Sequence, residues 1–178
     1  MAKRVPRWYW DTSIFLMVLK GEECHGPHVL EAAREQMREA EAGRLVIVTS
    51  SITLTEILPR PPHLEEYDRF LGWLQREHAQ VHDVTQPIAS RAARIRRAGL
   101  DCSPKLKIKA PDAIHIATAL IHTVGRFHSV DSSLNLVFQH LDLPLRGEPP
   151  QLEQLTMPLS APGGPAGQAE LPPPDLEM

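Results

Sequence analysis

The apolar positions of this chain switch repeatedly between short continuous runs and a spacing near 3.6 residues, which predicts strands alternating with helices. Residues 7–10, Arg-Trp-Tyr-Trp, read as a short aromatic strand, and after Asp11-Thr12-Ser13 the positions Ile14, Phe15, Val18 and Leu19 take helical spacing. Residues 20–26 are a polar loop. Residues 27–42 form a long helix with Val29, Leu30, Ala33 and Met37 inward, closed by Gly43. Residues 44–50, Arg-Leu-Val-Ile-Val-Thr-Ser, are an unbroken β-branched run, the mark of a strand covered on both faces of a parallel sheet. A helix starts near Ser51 and stops before Pro59, and Pro61-Pro62 make a turn. Further helices are expected over 63–75 and 86–98, the second with Ile88, Ala92 and Ile95 inward. Short strands fall at 81–84, 126–130 and 143–145, with a helical turn over 134–138.

One helix differs from the rest. Pro111 suits a first helical position, which puts Asp112 in the first turn, and behind it Ile114, Ala117 and Leu120 or Ile121 recur at helical spacing. A helix apolar on nearly every side is covered by its neighbours, and a lone carboxylate at its mouth is costly to bury unless something positive compensates it.

The alternation implies an α/β domain with a mainly parallel sheet, whose ligands lie beyond the carboxyl ends of the strands. After Arg146 the composition turns to Pro, Gly, Gln and Glu with little apolar periodicity, so residues 1–146 are expected to be the folded domain and 147–178 a disordered tail. Two cysteines give no disulfide framework, which favours a reducing cytoplasm. No run reaches membrane-spanning length, and Asp11 breaks the only N-terminal stretch resembling a signal peptide. The net charge of −3 argues against a protein that coats nucleic acid unselectively, yet it hides a basic stretch. Arg91, Arg94, Arg96, Arg97, Lys105, Lys107 and Lys109 carry Asp101 as the only acid among them and lead straight into Asp112.

Four acids occupy related places. Asp11 and Asp131 follow strands, Glu56 lies in the helix after the buried strand, and Asp112 opens its own helix, so one sheet edge can gather all four. Each has a plainer reading: Asp11 and Asp131 as helix caps, Glu56 as the end of a Thr53-Leu-Thr-Glu56 capping box, Asp112 as a favourable charge at a helix N-terminus. Together they would repel by about 4 kcal/mol per pair at 4 Å and an effective dielectric near 20, so such a cluster holds protons or binds cations. An all-oxygen donor set suits Mg²⁺ or Mn²⁺, ions that lower the pKa of a bound water and neutralise charge developing on a phosphodiester. Cys24-His25 with His28 fits no zinc spacing and reads as a polar loop. His115, one turn beyond Asp112, is a candidate to touch the site indirectly, while Asp68, Asp83, Asp101 and Asp142 have no motif around them.

Asp11-Thr-Ser13, Ser51-Ile-Thr-Leu-Thr-Glu56, Pro111-Asp-Ala-Ile-His-Ile-Ala-Thr-Ala119 and Ser129-Val-Asp131 resemble, in order, the four acidic motifs of PIN-domain nucleases, and the chain is most similar to their VapC-type toxins. The resemblance spans about residues 6–146. It implies a three-layer α/β/α sandwich, an acidic site for Mg²⁺ or Mn²⁺, and metal-dependent endonucleolytic cleavage of RNA. By position it carries the metal-binding and catalytic role to Asp11, Glu56, Asp112 and Asp131, and a supporting hydroxyl role to Thr12 or Ser13 and to Ser129. Arg94, Arg97, Lys105, Lys107 and Lys109 then become candidate RNA contacts. A homodimer and a small cognate antitoxin are also implied, with no membrane partner. The chemistry expected is attack by metal-activated water, leaving 5′-phosphate and 3′-hydroxyl ends. Ser129 stands where the family more often has threonine, and the loop at 22–28 and the tail lie outside the motifs. The alternatives are a catalytically silent module of the same fold that binds RNA or protein, and a phosphatase using Asp11 as nucleophile. The second lacks the aspartate two positions on that such enzymes carry, since Ser13 stands there.

Overall fold

The computed structural model describes residues 5–57 and 64–151. Its elements run β1 (Arg7–Trp10), α1 (Thr12–Lys20), α2 (Pro27–Glu41), β2 (Val46–Ser50), α3 (Ile52–Glu56), α4 (Leu64–Leu74), β3 (Ala79–His82), α5 (Gln86–Asp101), α6 (Ala110–Ile121), β4 (Arg126–His128), α7 (Ser132–His140) and β5 (Gly147–Glu148). The sheet order is β3-β2-β1-β4-β5 and every pairing is parallel. The chain winds outward from β1 through β2 to β3, then returns to the other side of β1 for β4 and β5. The order therefore reverses between β1 and β4, and the crevice beyond their carboxyl ends is the natural ligand site of such a sheet.

Period-two alternation in β1 divides the core into two layers. Trp8 and Trp10 point to one face, where Ile14, Phe15 and Met17 of α1, Val29, Leu30 and Ala33 of α2, and Phe70 and Leu74 of α4 cover them. Tyr9 points to the other, against Ile88, Ala92 and Ile95 of α5, Ala113, Ile116 and Ala117 of α6, and Leu134 and Val137 of α7. The expected three-layer α/β/α sandwich is present. Trp10 reaches across to α2, its Nε1–H donating to the buried Gln36 Oε1 at 3.0 Å.

Several boundaries differ from the sequence expectation. Helix α5 runs on through Gly99 to Asp101, because the linker into α6 packs hard against it: a Cβ at Gly99 would lie 2.7 Å from Ile108 and 2.9 Å from the Leu106 carbonyl. The helical turn at 134–138 is a full helix, opened by Asp131, whose Oδ1 accepts from Ser133 N–H. Strand β3 lies two residues earlier than expected, set by the pairing of Ile47 with Ala79 and Ser50 with His82. The strand expected at 143–145 is absent. Leu143 and Leu145 pack into the layer on the Tyr9 face instead, and Pro144 has no N–H for a ladder. Gly147 and Glu148, assigned to the tail from composition, pair with Phe127 and His128 and extend the sheet. The Pro61-Pro62 turn and residues 152–178 lie outside the described residues. Among the described residues no helix is long and apolar enough to cross a membrane.

Candidate functional site

Asp11 sits where β1 ends and α1 begins, only 3% exposed, and its side chain is tied from three directions. Oδ1 accepts from the Ser13 N–H at 2.9 Å, the Ser13 hydroxyl at 2.5 Å and the Ile14 N–H at 3.3 Å, while Oδ2 accepts from the Ser129 hydroxyl at 2.6 Å. The two serines pass the restraint on: the Ser13 oxygen accepts from Val130 N–H and the Ser129 oxygen from Asp131 N–H. The end of β1 and the loop after β4 are thereby stitched together at the crevice. Burial pushes the Asp11 carboxyl above its ordinary value, and His115, Ser129, Ser13 and the Ile14 amide pull it part of the way back.

Glu56 ends α3, half-exposed, with one oxygen doubly held. Its Oε2 accepts from the Thr12 hydroxyl at 2.5 Å and lies 2.9 Å from His115 Nε2. Burial raises this carboxyl, but the hydrogen bonds from His115 and Thr12 outweigh that cost and leave it below the usual range. The capping box does not form, because the Thr53 hydroxyl turns inward to Thr49 at 2.9 Å and Thr12 at 3.4 Å. Thr49 in turn donates to the Trp10 carbonyl at 2.9 Å, which fixes this row of hydroxyls to the end of β1.

Asp112 lies half-buried in the first turn of α6, and no hydrogen bond reaches its carboxylate from the described residues. Burial raises its pKa, Lys109 opposes this, and Asp131 and Glu56 raise it further, so these acids lie within electrostatic reach of one another. The structure brings the four predicted acids to one edge. It does not clamp them together: among the described residues no three His, Cys, Asp or Glu side chains form a ready-made cage for an ion. The plainer readings of Asp11 and Asp131 also hold, since both cap helices.

The supporting hydroxyls divide their work. Ser13 and Ser129 hold Asp11, and Thr12 holds Glu56. Of the basic residues, Lys109 stands at the position just before α6, with no cap bond from its side chain, and its charge acts on both Glu56 and Asp112. Lys105 and Lys107 are exposed along the linker, while Arg97 donates to Asp101 at 3.0 Å and Arg94 lines an open groove with Arg91, Leu120 and Leu143. Two contributors escaped the sequence reading, Tyr9 and the Thr49–Thr53 pair. A buried tyrosine in an aromatic strand carries no local signal of a partner on a helix 106 positions away.

The residue types fit a hard divalent cation. The donors at the edge are carboxylate oxygens, and the raised pKa values of Asp11 and Asp112 mark a place where positive charge is wanted. Residues 9–137 match the family model of the PIN domain. No curated protein matches the chain. Among solved structures, VapBC2 from Rickettsia felis, bound to a DNA fragment from their promoter, superimposes with a TM-score of 0.57 at 14% identity, covering 79% of this chain and 98% of that one. FitAcB from Neisseria gonorrhoeae gives 0.52 at 15% identity over 80% and 97%. FitAB bound to an IR36 DNA fragment gives 0.52 at 16% identity over 79% and 94%. At these identities the likeness is one of fold.

Proposed function

Because the chain belongs to the PIN-domain family, we propose that it is a divalent-metal-dependent endoribonuclease and the toxin of a toxin–antitoxin pair. The observation that carries the reading is the gathering of Asp11, Glu56, Asp112 and Asp131 at the sheet's switch point, with Lys109 at their border. Asp11, Asp112 and Asp131 would hold Mg²⁺ or Mn²⁺, with Glu56 as a further ligand or as the acceptor that orients water. The ion, when bound, supplies Lewis-acid stabilisation of charge on the phosphodiester and makes water a better nucleophile at neutral pH.

The chain's own residues do the rest. Ser13 and Ser129 keep the Asp11 carboxylate in one orientation. Thr12 and His115 fix one oxygen of Glu56, leaving the other, Oε1, without a hydrogen bond among the described residues. Lys109 places a positive charge where an RNA phosphate would approach, and Lys105 and Lys107 extend that approach along an exposed linker. The products expected are a 5′-phosphate and a 3′-hydroxyl. The VapC-type motifs support a small antitoxin as partner, a homodimer, and action on RNA in the cytoplasm. The phosphatase alternative still lacks its second aspartate, since Ser13 stands two positions after Asp11 and donates to it.

The test is an RNA assay on purified protein with Mg²⁺ or Mn²⁺ and with excess chelator. Cleavage that the chelator stops supports the proposal. RNA that is bound tightly and left intact, with binding indifferent to chelator, would establish the silent-module alternative instead.

A further inference from the structure

We propose that His115 is a positioning residue that orients Glu56 through a buried Tyr9–His115–Glu56 line of hydrogen bonds; the inference deepens the metal-nuclease reading and rests on it. A histidine on an apolar helix is commonly a satisfied core residue. Here both ring nitrogens are committed, and in different directions. Nδ1 lies 2.8 Å from the Tyr9 hydroxyl, and Nε2 lies 2.9 Å from Glu56 Oε2 and 3.1 Å from Thr12 Oγ1. Tyr9 is the rigid end of the line: fully buried in the central strand, it stacks on Phe127 with centroids 5.0 Å apart and planes within 11°. The His115 ring meets Tyr9 edge-on at 5.8 Å and is 2% exposed, so neither ring has room to swing.

The polarity of the line follows from what each group can do. The Thr12 hydroxyl has one proton and donates it to Glu56 Oε2, and an ionised carboxylate only accepts, so the contact from the ring to Glu56 requires a proton on Nε2. One oxygen of Glu56 thus takes two donors that are themselves anchored, Thr12 at the start of α1 and His115 through Tyr9 in β1. Glu56 closes a helix of only five residues, which by itself gives a long side chain little to lean on. The sheet's central strand therefore dictates, through His115, where the free Glu56 oxygen faces. Partners that orient a ligand in this way typically change metal affinity or activity by about 10–100-fold when removed.

The experiment compares wild type, His115→Leu, His115→Gln and Tyr9→Phe by Mn²⁺ titration calorimetry without RNA, by thermal unfolding, and by single-turnover RNA cleavage. Glutamine keeps an N–H near the Nε2 position, and phenylalanine keeps the stack on Phe127 while removing only the hydroxyl. The expected result is an Mn²⁺ affinity at least about tenfold weaker in His115→Leu, largely recovered in His115→Gln and intermediate in Tyr9→Phe, with the loss of cleavage in the maximal single-turnover rate rather than in the protein concentration that gives half of it. Folded His115→Leu that binds Mn²⁺ like wild type makes His115 a core residue and overturns the inference while the nuclease reading stands. If His115→Leu does not fold, unchanged Mn²⁺ affinity in Tyr9→Phe overturns it equally. Wild-type protein that neither binds Mn²⁺ nor cuts RNA removes the reading beneath and the inference with it.

Discussion

Asp112 has neighbours that make its charge costly in the metal-free protein, since burial, Asp131 and Glu56 all raise its pKa while only Lys109 and His115 lower it. A carboxyl raised in the folded state favours folding below its ordinary value near 3.8 and loses that advantage as pH climbs through the raised value. At pH 7 the cost is present. Metal-free Asp112→Asn should therefore melt about 2 °C above wild type by calorimetry, a difference of under about 1 kcal/mol once solvent screening is counted, and the gap should close near pH 3. Added Mn²⁺ should reverse the order, because only wild type gains the binding energy. His128 titrates the other way. Fully buried, it is pushed down to about 3, so stability present above the ordinary histidine value near 6.5 is lost as pH falls from there toward 3. Between pH 7 and pH 4.5, urea unfolding should show wild type losing about 2 kcal/mol more than His128→Phe. The acids themselves were legible because a carboxylate just past a strand end, or in the first turn of an apolar helix, needs a reason to be there. Tyr9 was not, because its partner is chosen by the packing of α6 on β1 and leaves no mark near residue 9.

Elements inherit these constraints. Strand β5 is two residues long, yet the Glu148 carbonyl accepts from Ser129 N–H at 3.0 Å and from His128 Nδ1 at 3.2 Å, and the Glu148 carboxylate pairs with Arg126 at 2.8 Å. A chain stopped after Arg146 should melt well below one stopped after Gln151. Two buried donors would lose their acceptor at about 1–3 kcal/mol each, and Ser129 is the residue that holds Asp11. Composition hid β5, since a Gly-Glu-Pro-Pro stretch has neither apolar alternation nor β propensity, and its place is set by the open edge of β4. Helix α5 carries a related lesson. Gly99 reads as a helix weakener, but it is the contact point of the linker that delivers Lys105, Lys107 and Lys109 to the mouth of α6. Gly99→Ala should cost about 1–3 kcal/mol through collision with Ile108 and the Leu106 carbonyl, measured by chemical denaturation. Strands β1 and β2 and helices α2 and α6 followed from periodicity and breakers alone, because burial on one or both faces imposes the pattern that was read.

At the scale of the molecule, the strand order brings scattered acids to one edge of the sheet. A parallel sheet wound both ways from β1 brings the end of β1, the start of α3, the mouth of α6 and the loop after β4 to one edge, and the reversal between β1 and β4 opens the crevice there. Periodicity gave the layers, but it could not give the order β3-β2-β1-β4-β5, which depends on crossovers and not on any local signal. The proposed activity is RNA cleavage at this edge when it is loaded with a divalent ion. It is tested by single-turnover cleavage of a labelled RNA by wild type and Asp112→Asn at saturating Mn²⁺, with the new ends mapped. Wild type should leave 5′-phosphate ends, and the variant should be at least about 100-fold slower, equivalent to about 2.7 kcal/mol of barrier. Equal rates from the two folded proteins, or cleavage that persists in chelator, would contradict the proposal.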